Sequence, residues 1–88
     1  MTESRFISYA TKSWIKRGIE LDDLENHEEA LKAFDNAIAL DPNNFDAWYH
    51  KGKILHSLDR YEEALQAYAK ALALNPDNSD IHRFDSKY

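Results

Sequence analysis

The sequence contains no cysteine, only two glycines and two prolines, and no long run of apolar residues. Without cysteine the chain can form neither a disulfide nor a thiolate metal site, and it has no thiol nucleophile. The N-terminal stretch lacks the apolar segment of a signal peptide, and no stretch approaches the length that spans a membrane. We therefore expect a small, soluble, cytoplasmic protein.

Basic residues are outnumbered as well. The 11 lysines and arginines against 16 aspartates and glutamates give a formal net charge of −5. Binding to nucleic acid without sequence preference needs a basic surface that displaces counterions, and anionic membranes attract basic segments. The acidic balance thus argues against a nucleic-acid or membrane partner. At 88 residues, the whole chain, 1–88, is expected to form a single domain.

What the sequence does contain is an internal repeat. Shifting the chain by 34 residues aligns residues 11–44 with residues 45–78, and fourteen of the aligned positions are identical. The segment "NHEEALKAFDNAIALDPNN" thus returns as "RYEEALQAYAKALALNPDN". Self-similarity at a fixed period of this length is typical of stacked repeat architectures.

The second half of each unit predicts one helix, because its apolar residues recur with the 3.6-residue period. Asn26 and Asp59, each followed three residues later by glutamate, predict side-chain caps at the helix starts. Pro42 and Pro76 predict the helix ends. The predicted apolar faces consist of Ala30, Leu31, Phe34, Ala37 and Ile38 in the first unit and Ala64, Leu65, Tyr68, Ala71 and Leu72 in the second.

The first half of each unit predicts another helix, with a tryptophan and a glycine on its apolar face. Asn44 can cap the helix that begins near Phe45. The two glycines lie at equivalent interior positions, where each costs about 1 kcal/mol relative to alanine. A phosphate site would need glycines clustered in a loop, so we expect close helix packing opposite Ala30 or Ala64. The predicted faces are Trp14, Gly18, Leu21 and Leu24, and Trp48, Gly52, Leu55 and Leu58.

These units resemble the tetratricopeptide repeat, whose pattern is W-x2-L-G-x2-Y followed by A-x3-F, A and P. Arg17 and Lys51 stand in the place of the leucine, and Leu21 and Leu55 in the place of the tyrosine. The matching residues are Trp14, Gly18, Ala30, Phe34, Ala37 and Pro42, and then Trp48, Gly52, Ala64, Tyr68, Ala71 and Pro76. The resemblance implies an all-α solenoid, a superhelix of antiparallel helix hairpins with about five helices.

The ends of the chain are less regular than the two repeats at 11–44 and 45–78. Residues 1–10 do not fit the end of a preceding unit, and we interpret them as an N-terminal extension of the first helix. Apolar residues at helical spacing continue beyond Pro76. Residues 79–88 are therefore expected to form a capping helix or the start of a truncated third repeat.

The resemblance implies a non-catalytic protein–protein interaction module, in which a peptide or helix of a partner binds a concave groove formed by the first helices. The corresponding positions are Lys12, Ile15, Lys16, Ile19, Asp22, Asp23, Asp46, Tyr49, His50, Lys53, His56 and Ser57, with Arg83, Phe84 and Lys87 from the last helix. Basic residues outnumber acidic ones there by five to three. A partner segment with carboxylates and an apolar anchor would suit this groove, although solvated charges on a helix face give the same pattern.

Co-chaperone members of this family clamp a C-terminal carboxylate with lysine and asparagine side chains. Ile15, Ile19 and His50 stand at the corresponding positions here. Because apolar side chains cannot donate hydrogen bonds to a carboxylate, the carboxylate clamp is not expected in this chain.

Two further interpretations remain open. Stacked repeats usually need three or more units for stability, so a second copy of the chain could supply the missing interface and form a homodimer. The candidate pairing residues at the two ends are Phe6, Ile7, Tyr9, Phe84 and Tyr88. Alternatively, the chain could be a segment of a longer repeat scaffold.

Catalysis and cofactor binding find no support in the sequence. Asp46 and His50 share a helix face, but a metal site needs more ligands, so we expect no metal or cofactor. His56 is expected to pair weakly with Asp22, and His27 to serve in packing. No serine belongs to a nucleophile–base motif, and we expect no enzymatic activity.

Overall fold

The computed structural model describes the backbone of residues 2–76 and the side chains of residues 6–76. Four helices follow one another along residues 2–76: α1 at Thr2–Asp23, α2 at His27–Leu40, α3 at Phe45–Ser57 and α4 at Tyr61–Leu74. No strand occurs in this part of the chain, which confirms the all-α prediction. The fifth helix predicted for residues 79–88 lies outside the described residues. Within residues 2–76, no helix combines the length and the apolar character needed to cross a membrane.

Helices α1 and α2 form one hairpin, and α3 and α4 form the next. Helix α1 is the longest element, with 22 residues against 13 in α3, because residues 2–10 continue it towards the N-terminus. Helices α2 and α4 end at Leu40 and Leu74, two residues before Pro42 and Pro76, as the prolines predict. The two hairpins then stack through α2 and α3.

Each hairpin turns through a residue with left-handed backbone geometry, Glu25 with φ 61° and Asp59 with φ 62°. In the first turn, the Asn26 N–H donates to the Leu21 carbonyl at 2.9 Å and the Glu25 N–H donates to the Asp22 carbonyl at 2.9 Å. This pair of bonds is the Schellman motif, which satisfies the last carbonyl groups of a helix. The second turn repeats the arrangement.

The side-chain caps predicted at Asn26 and Asp59 are wrong. The N-cap residues are Asn26 and Arg60, and neither makes a side-chain cap hydrogen bond. The turn holds their backbones at ψ 68° and 69°, away from the extended geometry in which a side-chain oxygen reaches the helix. Arg60 instead donates from Nε and Nη2 to both carboxylate oxygens of Glu63, at 3.0 and 2.9 Å. Asp59 accepts a hydrogen bond from the Tyr61 hydroxyl at 2.8 Å.

The cap predicted between the hairpins is confirmed. The Asn44 side-chain oxygen accepts a hydrogen bond from the Ala47 N–H at 3.0 Å, at the start of α3. The Trp48 indole N–H donates to the Pro42 carbonyl at 2.7 Å. These two hydrogen bonds tie the loop between the hairpins to the first turn of α3. They therefore fix the direction in which α3 leaves the loop.

Both glycines lie buried where the two helices of a hairpin meet, as the packing interpretation requires. Their neighbours differ from those expected. A Cβ on Gly18 would lie 2.6 Å from Cζ of Phe34, and one on Gly52 would lie 2.8 Å from Cδ1 of Tyr68. Each glycine thus makes room for the aromatic ring of the facing helix. The alanines expected opposite them, Ala30 and Ala64, are buried in the same cluster.

The junction between the hairpins combines apolar and polar contacts. The imidazole of His50 on α3 stacks on the Phe34 ring of α2, with centroids 5.4 Å apart. The Lys51 ammonium forms an ion pair with Asp35 of α2 at 2.8 Å and lies 5.5 Å from the Trp48 ring. These contacts fix the orientation of α3 on α2. They thereby also fix the position of α3 relative to α1, and so the shape of the groove between those two helices.

Two leucines placed on the apolar faces by the sequence are exposed. Leu24 is 77% exposed, whereas its repeat equivalent Leu58 packs against the core. Leu65 is 61% exposed, whereas its equivalent Leu31 is 8% exposed. Leu31 and Leu58 lie at the junction between the hairpins, while Leu24 and Leu65 occupy the same positions at the two ends of the described stack. Their burial therefore depends on a neighbouring hairpin.

Candidate partner-binding groove

A cleft of about 440 Å³ lies between α1 and the start of α3. Its lining residues are Lys12, Ile15, Lys16, Ile19, Glu20, Asn44 and Asp46. The structure thus brings together five of the residues that the sequence assigned to a groove: Lys12, Ile15, Lys16, Ile19 and Asp46. Glu20 and Asn44 were not among them. Glu20 follows Lys16 by one helical turn, so its spacing could have indicated it.

The α1 wall of the cleft follows from helical periodicity. Lys12, Ile15, Lys16 and Ile19 are spaced i, i+3, i+4 and i+7, which places them on one face of a helix. Ile15 packs in part against the hydrophobic core, and Ile19 is more than one-third exposed. The wall therefore offers apolar surface with lysines beside it.

The charges of the cleft are balanced. Lys12 and Lys16 are exposed, and neither forms an ion pair with another residue of the described part of the chain. Glu20 and Asp46 supply two acidic groups to the same lining. The basic excess expected for the groove is thus absent from this cleft. Arg83, Phe84 and Lys87, two of which contributed to that excess, lie outside the described residues.

Two more residues predicted for the groove, Tyr49 and Lys53 of α3, belong to an aromatic group that also includes Phe45 and Tyr68. The Tyr49 ring stacks on Phe45 with centroids 5.7 Å apart and lies 6.0 Å from the Tyr68 ring. The Lys53 ammonium lies 5.6 Å from the Tyr49 centroid, a cation–π contact. Tyr49 is therefore half-buried and anchored, and Lys53 already has a partner within the chain.

His50 does not contribute positive charge to the groove at neutral pH. Burial against Phe34 and, to a smaller extent, the Lys53 ammonium lower the pKa of His50 below its ordinary value. The carboxylates of Asp46 and Asp22 oppose this shift. The neutral ring stacks at the junction of the hairpins, so its role in this structure is packing.

The pairing predicted between His56 and Asp22 is wrong. Asp22 contacts His27, whose Nδ1 lies 2.9 Å from the carboxylate, so His27 does more than pack. The His56 ring lies edge-on to Tyr61, with centroids 5.1 Å apart. Asp22 and His27 align with His56 and Tyr61 in the repeat. The two hairpins therefore use one pair of positions for different contacts, a short polar contact between His27 and Asp22 in the first and an aromatic contact between His56 and Tyr61 in the second.

The other predicted groove residues lie at the C-terminal ends of α1 and α3. Asp23 and Ser57 are exposed, and the Ser57 hydroxyl donates to the Lys53 carbonyl of its own helix at 3.1 Å. Within the described residues, no group of three or more histidine, aspartate or glutamate side chains could hold a metal ion.

Comparison with known proteins agrees with this architecture. The family model for the tetratricopeptide repeat matches residues 15–79. A crystal structure of MamA is similar with a TM-score of 0.80 and 24% identity, covering 82% of this chain and 42% of that one. A double mutant of MamA, MamA RS-1 ArsTM, gives 0.77 and 27%, covering 88% and 47%. The chain thus spans less than half the length of these MamA chains, and no curated protein matches it. The chain belongs to the tetratricopeptide repeat family, whose members are in general non-catalytic modules for protein–protein interaction.

Proposed function

We propose that this chain is a non-catalytic interaction module whose cleft between α1 and α3 binds a short segment of a protein partner. The observation that carries the proposal is the combination of Ile15 and Ile19 with two lysines that have no ionic partner among the described residues. Exposed apolar surface bordered by polar groups is typical of protein interaction sites.

The apolar part of the cleft fits one side chain of the partner. Ile15 and Ile19 follow one another by one helical turn on α1, with Asn44 and Asp46 on the opposite wall. A leucine or aromatic side chain inserted there would be removed from water on both sides. Anchors of this kind supply most of the binding free energy at protein interfaces.

The charged part of the cleft fits a partner segment with both signs of charge. Lys12 and Lys16, also one turn apart, can bind a carboxylate beside the anchor, whereas Glu20 and Asp46 favour a basic group further along. Because these groups are exposed, their contribution is screened by salt. We therefore expect binding to weaken as ionic strength rises.

Selection of random 12-residue peptides on the immobilised chain tests this proposal. The selected peptides should carry an apolar residue next to an acidic one, and they should bind the K12E/K16E variant at least about tenfold more weakly. The K32E/K70E variant changes the net charge by the same amount at exposed lysines of α2 and α4, and it should bind as the unmodified chain does.

The same peptides should shift the backbone NMR signals of residues 12–20 and 44–46 more than those of α2 and α4. Equal affinity for both double variants, or signal changes centred on α2 or α4, would rule out the cleft as the binding site.

A further inference from the structure

Helix α1 carries an exposed stripe that no part of the described chain covers. Phe6, Tyr9 and Leu24 are 73%, 76% and 77% exposed. Phe6 and Leu24 lie about five helical turns apart and therefore on one line along the helix. Ser13, Arg17 and Glu20 lie between them on the same side and are also exposed. We call these six residues the α1 stripe.

The equivalent face of α3 is buried. A shift of 34 residues relates Ser13, Arg17, Glu20 and Leu24 to Ala47, Lys51, Ile54 and Leu58. Ala47 and Ile54 are fully buried, and Lys51 forms its ion pair with Asp35 of α2. In α3 this face packs on the preceding hairpin, so the α1 stripe is the corresponding end face of the stack.

The composition of the α1 stripe does not suit continuation of the stack by α4 of another copy. Glu20 stands where Ile54 is buried, and burying an unpaired carboxylate is costly. Arg17 would face Ala69, the equivalent of Asp35, and find no carboxylate there. Residues 2–10 also continue α1 as helix, whereas a short turn, residues 41–44, precedes the equivalent point of α3.

The α1 stripe is instead complementary to itself in an antiparallel arrangement. With a two-fold axis beside residue 15, Phe6 lies opposite Leu24 of the partner subunit, and Ser13 lies opposite Arg17 of the partner subunit. Tyr9 then comes within one residue of Glu20 of the partner subunit, so its hydroxyl can donate to that carboxylate. Apolar contacts form at both ends, and the small Ser13 allows close approach in the middle.

From this complementarity we infer that the α1 stripe is a self-association surface that joins two copies of the chain through antiparallel α1 helices. Three large side chains on each copy, with about 150–250 Å² for each aromatic residue, remove on the order of 800 Å² from water. The polar residues between them bring the total towards the lower end of specific interfaces, about 1,200 Å². An interface of this size is typical of a weak, reversible dimer. The dimer shares Glu20 with the cleft proposed above, but it does not require a segment bound in that cleft.

Sedimentation equilibrium over a concentration series tests the dimer. The unmodified chain should pass from monomer to dimer, and F6E/L24E should dissociate at least about tenfold more readily. L65E places a glutamate at the exposed leucine on the other end of the described stack and should leave dimerisation unchanged. Circular dichroism should give the same helix content for all three chains, because the altered side chains are exposed.

Engineered disulfides test the antiparallel register, since the chain has no cysteine of its own. Air oxidation of a mixture of S13C and R17C chains should form the mixed dimer several-fold in excess over either symmetric dimer. A chain that stays monomeric at about 1 mM, a loss of association in L65E equal to that in F6E/L24E, or no excess of the mixed disulfide would each overturn the inference.

Discussion

At Gly18 the absence of a side chain outweighs helix propensity. Alanine there would gain about 1 kcal/mol of propensity, but its Cβ would lie 2.6 Å from a ring atom of the fully buried Phe34. Overpacking of this kind costs about 1–3 kcal/mol. We expect Gly18→Ala to lower the free energy of unfolding by about 1 kcal/mol in urea denaturation. An unchanged or higher value would contradict the close contact with Phe34.

Glu25 represents the opposite case, because its left-handed backbone favours glycine. The strained geometry costs a residue with a side chain about 1–2 kcal/mol, and part of this is offset by the greater entropy of glycine in the unfolded chain. Glu25→Gly should therefore raise the thermal midpoint, with a gain of about 0.5–1 kcal/mol. Gln66→Gly, a control at an exposed position in the interior of α4, should lower stability by about 1 kcal/mol. Two losses of similar size would speak against the left-handed turn.

The lowered pKa of His50 predicts that the stability of the fold depends on pH. Burial lowers the pKa of His50 in the folded protein, so the unfolded chain binds its proton first as pH falls. The contribution of His50 to stability is complete above the unfolded pKa of about 6.5 and is lost as pH falls from there towards the folded pKa.

His50→Phe keeps an aromatic ring on Phe34 and removes the titrating group. Urea unfolding at pH 7.5, 6.5 and 5.5 should show a smaller loss of stability for His50→Phe than for the unmodified chain. The slopes should differ by no more than about 1.4 kcal/mol per pH unit, the value for one proton. The other three histidines, His27, His56 and His82, are common to both chains and cancel in the comparison. Parallel curves would mean that His50 is not held neutral.

The helices themselves were predictable from the sequence, but the turns within the hairpins were not. Apolar periodicity and the two prolines predict the helices, and α2 and α4 end where expected. A Schellman turn is normally recognised by glycine at its left-handed position, and here glutamate and aspartate occupy that position. Asn26 therefore resembled a side-chain cap but makes no cap hydrogen bond, whereas the cap also predicted at Asn44 does form.

A matched pair of substitutions tests this difference between the two turns. Asn44→Ala removes the hydrogen bond to the Ala47 N–H and should cost about 1 kcal/mol of unfolding free energy. Asn26 makes no cap bond, so Asn26→Ala should change stability by less than about 0.5 kcal/mol. Equal losses of unfolding free energy in chemical denaturation would contradict a side-chain cap at Asn44 and none at Asn26.

For the whole molecule, the repeat predicts two similar hairpins but cannot reveal which equivalent positions become buried. Burial depends on the neighbouring hairpin, which is why Leu31 and Leu65 differ although their local sequences match. The α1 side of the candidate groove was predictable, because four residues at helical spacing define it. The balanced charge of the cleft was missed, because Glu20, one helical turn after Lys16, was left out of the predicted groove and Lys53 does not line the cleft.

The stacking of α2 on α3 underlies both the cleft and the exposed end faces, and Leu31 and Leu65 allow it to be measured by one substitution at two equivalent positions. Leu31 lies at the junction and Leu65 at the exposed end of the described stack. In urea denaturation, Leu31→Ala should lower the free energy of unfolding by about 2–4 kcal/mol, whereas Leu65→Ala should lower it by less than about 1 kcal/mol. Equal losses at the two positions would contradict the stacked arrangement.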